Sequence, residues 1–161
     1  MKKKKRNLSL LLVIGFSLLL LANCKKDKKN DPAPVTPVIS NSFTATIDGV
    51  SYNGNDMFYG THSGDKYVLF SKGGDQSVSL CFPDTVKTSS YPLANNYFSC
   101  YAQYSTSPYD NYMSTSGTLS FTVIDIGAGK MKGTFNCVVT KVSKTGSTVN
   151  ITNGAFNLGV I

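Results

Sequence analysis

The chain has 161 residues, and its formal charge of +7 comes from 16 basic against 9 acidic side chains. That charge lies outside the body of the protein: five basic residues fall in Lys2–Arg6 and four more are Lys25, Lys26, Lys28 and Lys29, whereas from Asn41 onward seven lysines face seven aspartates. A formally neutral body excludes the basic footprint of a nucleic-acid binder, and its length of about 120 residues suits a single domain with its own core.

The basic cluster Lys2–Arg6 is followed by an apolar run from Leu8 to Leu21. This is the order of a secretory signal, and the run is shorter than the ~20 apolar residues that a spanning helix needs. It closes on Leu21-Ala22-Asn23-Cys24, which resembles the lipobox of bacterial lipoproteins. The resemblance implies that the Cys24 thiol receives a diacylglycerol, that residues 1–23 are cleaved, and that the membrane is reached through the N-terminal lipid. A plain signal peptide with an incidental cysteine, or a membrane anchor, is the alternative. Residues 24–40 are rich in Lys and Asp and then in proline (Pro32, Pro34, Pro37). Such a segment buries too little apolar surface to fold and predicts a tether reaching up to roughly 50 Å.

The body, residues 41–161, predicts an all-β fold. Phe43–Ile47 and Val50–Tyr52 flank Asp48-Gly49, a hairpin signal because a type I′ turn requires positive φ at both central residues. Tyr67–Phe70 and Ser77–Phe82 are joined through Gly73-Gly74-Asp75, and Val78, Leu80 and Phe82 share one face. Residues 84–96 predict an irregular connection, Tyr97–Tyr104 a strand, and Ser105–Ser116 a polar loop. Leu119, Phe121 and Val123 alternate, then Ile124 and Ile126 take the opposite parity, which predicts a bulge or a strand with two apolar faces. Met131–Val139 and Val149–Ile151 follow, and Asn153-Gly154 predicts a last hairpin leading to Phe156–Val160. No long window keeps the helical period. About nine short strands predict an antiparallel β-sandwich or flattened barrel.

Chemistry-bearing motifs are scarce. His62 is the lone histidine, and the chain contains no Gly-x-Ser-x-Gly elbow. One histidine and three scattered cysteines do not supply a zinc site, so neither a metal nor a cofactor is expected. The aspartates sit in turn-like sequences, where bonding to the local backbone is their usual role. Tyrosines cluster instead: Tyr91, Tyr97, Tyr101, Tyr104, Tyr109 and Tyr112. The last five are candidates for a ligand-binding aromatic platform, the alternative being strand residues half-buried under a loop. In an oxidising compartment the body's three cysteines permit at most one internal pair. Parity with core residues favours Cys100–Cys137 as the candidate disulfide, with Cys81 left over. Buried free thiols are the other reading.

Cys24-Lys-Lys-Asp, Phe43-x-Ala45-x-Ile47-Asp48-Gly49, Gly133-Thr134-Phe135 and Ile151-Thr-Asn-Gly154-x-Phe156 together resemble small Bacteroidota lipoproteins whose β-domain has no assigned function. The resemblance implies an envelope domain, lipid-anchored with the outer membrane as its expected site, and it transfers no catalytic residue. Asp84-Thr85-Val86 resembles the O-glycosylation sequon of such proteins, which makes Thr85 a candidate acceptor. The expectation is a non-catalytic module binding a glycan or an envelope protein. An envelope hydrolase using His62 with an aspartate, or a purely structural lipoprotein, is the alternative.

Overall fold

A computed structural model describes residues 40–62, 64–96, 98–107, 110–143 and 146–160. The signal, Cys24 and nearly all of the tether lie outside the described residues, as do Tyr97 and Tyr109. Ten strands are described: β1 (Ser42–Ile47), β2 (Val50–Gly54), β3 (Asp56–His62), β4 (Lys66–Gly73), β5 (Gln76–Pro83), β6 (Ser90–Pro92), β7 (Tyr101–Ser107), β8 (Asp110–Asp125), β9 (Lys130–Lys141) and β10 (Thr148–Leu158). Every pairing is antiparallel, in the spatial order β2-β1-β10-β9-β8-β7-β5-β4-β3, with β6 on β8. The all-β expectation holds, and the architecture is an up-and-down meander curled into a nearly closed barrel.

Closure follows from one bent strand. β2 pairs with β1, β3 pairs with β4, and only Asn55 separates them. At the bend the Asn55 N–H donates to the Lys72 carbonyl at 2.9 Å, and the Tyr52 hydroxyl donates to the Ser71 carbonyl at 2.8 Å inside the barrel. The first and last staves of the sheet are thereby tied together.

Alternation decides which side chains fill the interior. Along β9, Met131, Phe135, Cys137 and Val139 are buried while Lys130, Lys132, Thr134 and Asn136 are exposed. Phe43, Leu69, Leu80, Phe82, Phe121, Ile151 and Phe156 join them from the other strands. Each fully buried large apolar side chain contributes about 1.5–3 kcal/mol, so the core carries the stability. Asp48 and Gly49 both take positive φ (46° and 83°), as the hairpin signal requires. The turn is pinned to β10, because Asp48 Oδ1 accepts the Asn150 N–H at 2.8 Å.

Four expectations are corrected. Asp56–His62, unassigned from sequence, is a strand. Of the predicted polar loop Ser105–Ser116, residues 105–107 end β7 and 110–116 begin β8, where Asn111, Thr115 and Ser116 are exposed and buried Ser114 bonds the backbone. Asn153-Gly154 makes no hairpin. Asn153 takes positive φ (52°) within a continuous β10, where the register slips between Ile151 and Gly154, because β9 runs alongside the whole segment and absorbs the turn signal as a bulge. Finally, the strand expected from Tyr97 begins at Tyr101. The parity switch near Val123 is a bulge, with a register shift between Phe121 and Val123.

Candidate functional site

The strands β6 and β7 lie end to end along β8, and the chain between them, residues 93–100, leaves the barrel wall as a loop. Its base is fastened by Ser114, which is fully buried: its Oγ accepts the Ala102 N–H at 2.9 Å and donates to the Ala94 carbonyl at 3.3 Å. Its tip is set by Asn96, whose Oδ1 accepts the Phe98 N–H at 2.9 Å and whose carbonyl accepts the Ser99 N–H at 3.1 Å. This side-chain-built turn projects Phe98 into solvent, 92% exposed.

The loop, the β3–β4 turn and the exit of β5 enclose a cavity of about 590 Å³ on the outside of the barrel. His62 and Lys66 close the turn as a cross-strand pair. The Asp84 N–H donates to the Asp65 carbonyl at 3.2 Å, which brings two aspartates to one rim. The Lys66 ammonium donates to the Ser99 carbonyl at 3.0 Å and lies 5.5 Å from the centroid of the Tyr101 ring, so one cation clamps the loop and covers the floor. Beneath it a small cluster of Cys81, Tyr101 and Met113 packs with Val68 on the outer face of the sheet. Burial raises the Cys81 thiol against a hydrogen bond with Tyr101 and the charge of Lys66. Cys100 is pushed up to about 11, chiefly by burial, with Lys66 lowering it and Cys81 raising it. Burial thus favours the protonated form of both thiols. The cavity offers an aromatic face, an ammonium, two carboxylates and an imidazole, a set suited to hydrogen-bonding and stacking on a polar ligand. Among the described residues no hydrogen bond joins His62 to either carboxylate, and no group of three or more His, Cys, Asp or Glu is placed to hold a metal.

Tyr101, Tyr104 and Tyr112, the described members of the expected platform, are buried or half-buried rather than displayed to solvent. Tyr104 is buried and Tyr112 half-buried inside the barrel, their rings 5.6 Å apart, because strand parity turns both inward. Tyr101 is fully buried as the floor of the cavity. Tyr91 packs edge-on against Phe121 and its hydroxyl accepts the Lys87 N–H at 2.7 Å. Cys81, Cys100 and Cys137 are all buried free thiols. The candidate Cys100–Cys137 bridge is absent, and the cysteine that acts electrostatically on Cys100 is Cys81. Thr85 is exposed at the rim of the cavity.

Sequence reasoning missed Phe98 and Lys66. In a strand running from Tyr97 to Tyr104, Phe98 would share the face of Cys100 and Ala102, yet parity applies only within a strand. The signal that could have found it was Asn95-Asn96, which marks a turn rather than a strand interior. Asp84, next to Pro83, reads from sequence as a turn former, and nothing in the sequence singles out Asp65.

Neither a curated protein nor a solved structure matches the chain. A family model does, over residues 40–158, a span that takes in every described strand from β1 to β10 and the whole cavity: the chain belongs to the family described as a domain of unknown function, DUF6252.

Proposed function

We propose that the protein is a lipid-anchored module of the bacterial cell envelope that binds a ligand without transforming it, in the outer cavity between the β3–β4 turn and the 93–100 loop. The observation that carries this reading is Phe98. Leaving a large aromatic in water forgoes about 2 kcal/mol of burial, and here it is displayed on a loop held by hydrogen bonds at base and tip, beside a cavity of about 590 Å³. Anchoring rests on the lipobox-like Leu21-Ala22-Asn23-Cys24 and on the uncharged balance of the body. Both suit a domain held near a membrane by its N-terminus, at the outer membrane in the organisms the sequence resembles.

Full-length protein extracted in detergent is titrated with cell-wall fragments, oligosaccharides and short peptides. Phe98→Ala, and separately Asp65→Asn with Asp84→Asn, should weaken the best ligand by about tenfold with the thermal midpoint retained. Binding indifferent to all three changes removes the site. Cys24→Ala should leave the membrane fraction and lack the acyl mass; an unchanged distribution and mass would remove the anchor.

A second reading, an envelope hydrolase, is favoured by one observation: His62 shares the cavity with Asp65, Asp84 and Thr85. Turnover of a cell-wall substrate that vanishes in His62→Ala would establish it.

A further inference from the structure

We propose that the outer face of β3, β4, β5 and β7 is one continuous track for a linear, uncharged, hydroxyl-rich polymer, a glycan chain, of which the cavity beside Phe98 is only the lower end. This rests on the reading of that cavity as the ligand site and extends it.

The register of the strands supplies the geometry. Lys66, Val68, Phe70 and Lys72 are the outward residues of β4, and their ladder partners on β3 are His62, Gly60, Phe58 and Asp56. The Lys66 row borders the cavity already described. The Lys72 row borders a second cavity of about 540 Å³, where Phe70 and Lys72 meet Asp75 of the β4–β5 turn and Gln76 at the start of β5. The two cavities are thus opposite ends of one face, six residues apart along β4, or about 20 Å. A compact ligand fills one of them; an extended one reaches both.

The surface between them is suited to sugars. Phe58 sits opposite Phe70 and is 59% exposed. A Cβ placed on Gly60 would come within 2.6 Å of the tip of the Phe58 ring, so the ring lies down along the strand over the glycine and turns a flat face to solvent. Flat aromatic faces stack against the C–H faces of pyranose rings, leaving hydroxyls for the polar neighbours. Those neighbours are Ser79 beside Phe70 and Gln103 beyond it. Charges along the track are mixed, Lys66 and Lys72 lying among Asp56, Asp65, Asp75 and Asp84, so no positive field awaits a polyanion. An extended peptide cannot add to the middle of the face as a strand, because β4 and β5 are each paired on both edges.

The test is a length series. Full-length protein in detergent micelles is titrated calorimetrically with neutral oligosaccharides of two to eight units from N-acetylhexosamine, glucan and mannan series, and with cell-wall peptides in parallel. The affinity for the best series should rise about tenfold or more with length. Phe58→Ala, an exposed position where the fold is retained, should reduce the longest oligomer to the affinity of the shortest and leave the shortest unchanged, and Gln76→Ala should do the same in weaker form. Phe98→Ala should weaken every length. Affinity that is flat with length but still sensitive to Phe98→Ala overturns the track and leaves the lower site standing, as does selective, Phe98-dependent binding of a peptide. If nothing in either panel binds, the track and the lower site fall together.

Discussion

Gly117 shows how one position constrains the wall of this barrel. It sits where β8 passes from β7 to β6, with φ at 142°, and its carbonyl accepts the Leu93 N–H at 2.9 Å. A side chain there would run into the backbone of Asn136 and Cys137. Gly117→Ala combines a backbone conformation that L-residues avoid with a clash against rigid neighbours, so it should destabilise the domain by about 2–4 kcal/mol, read as a fall in the urea midpoint. Cys137 makes a different point. Burial alone pushes its thiol up from 9.0 to about 12, and burial followed by the charge of Tyr67 pushes Tyr59 from 10.0 to about 12. For groups charged only after losing a proton, a raised folded value means that the unfolded chain ionises first. Stability is then complete below pH 9 and drains away as pH rises toward 12. Denaturation midpoints measured from pH 8 to 11 should fall in the native protein and fall less steeply in Cys137→Ala.

Among the elements, the bend between β2 and β3 and the 93–100 loop do most to shape the site. The bend is closed from inside by Tyr52, whose hydroxyl donates to the Ser71 carbonyl at 2.8 Å and lies 3.3 Å from Ser71 Oγ. Tyr52→Phe keeps the ring and strands the buried acceptor, at a cost of about 1–3 kcal/mol, visible in the thermal midpoint. The loop depends on Ser114 in the same way. Ser114→Ala leaves the Ala102 N–H and the Ala94 carbonyl without that partner, and should cost about 1–3 kcal/mol. Its more telling effect is local: limited proteolysis should cut between residues 94 and 100 faster in the variant, while the Lys66 contact to Ser99 holds only the far side of the loop.

Across the described domain, stability depends on pairing its first and last strands, β1 and β10. β10 is the only neighbour of β1 besides β2, and it carries Ile151 and Phe156 into the core. A chain stopped before Thr148 loses that seam, exposing one edge of β9 and one edge of β1. It should not fold, giving a far-UV spectrum without strand signal or an insoluble product. Because β1 must find β10 across most of the domain, folding should be slow for its size, on the millisecond-to-second scale, measurable by stopped-flow dilution from urea.

Alternating patterns such as those of β5 and β9, together with Asp48-Gly49, were enough to predict strands, turns and an all-β fold, because period-two burial and positive-φ turns are local properties. The first hairpin and the bulge near Val123 were legible for that reason. What the order of residues did not reveal was which polar segments are strands. β3 and the first part of β8 lack a clean apolar alternation, and their neighbours β4, β7 and β9 hold them in the wall through ladder hydrogen bonds. The same neighbours override the turn signal at Asn153. The candidate site was less legible still. Tyrosine clustering drew attention to residues 91–112, a stretch that includes Phe98 and Tyr101 of the cavity, but it did not tell which rings lie in a strand and on which face. Within β7 parity turns Tyr104 inside and lays Tyr101 under Lys66, and because the strand starts only at Tyr101, Phe98 is left on a loop. Lys66, Asp65, Asp84 and Phe98 come from three separate segments, and the adjacency of β4, β5 and β7 in the sheet brings them to one rim.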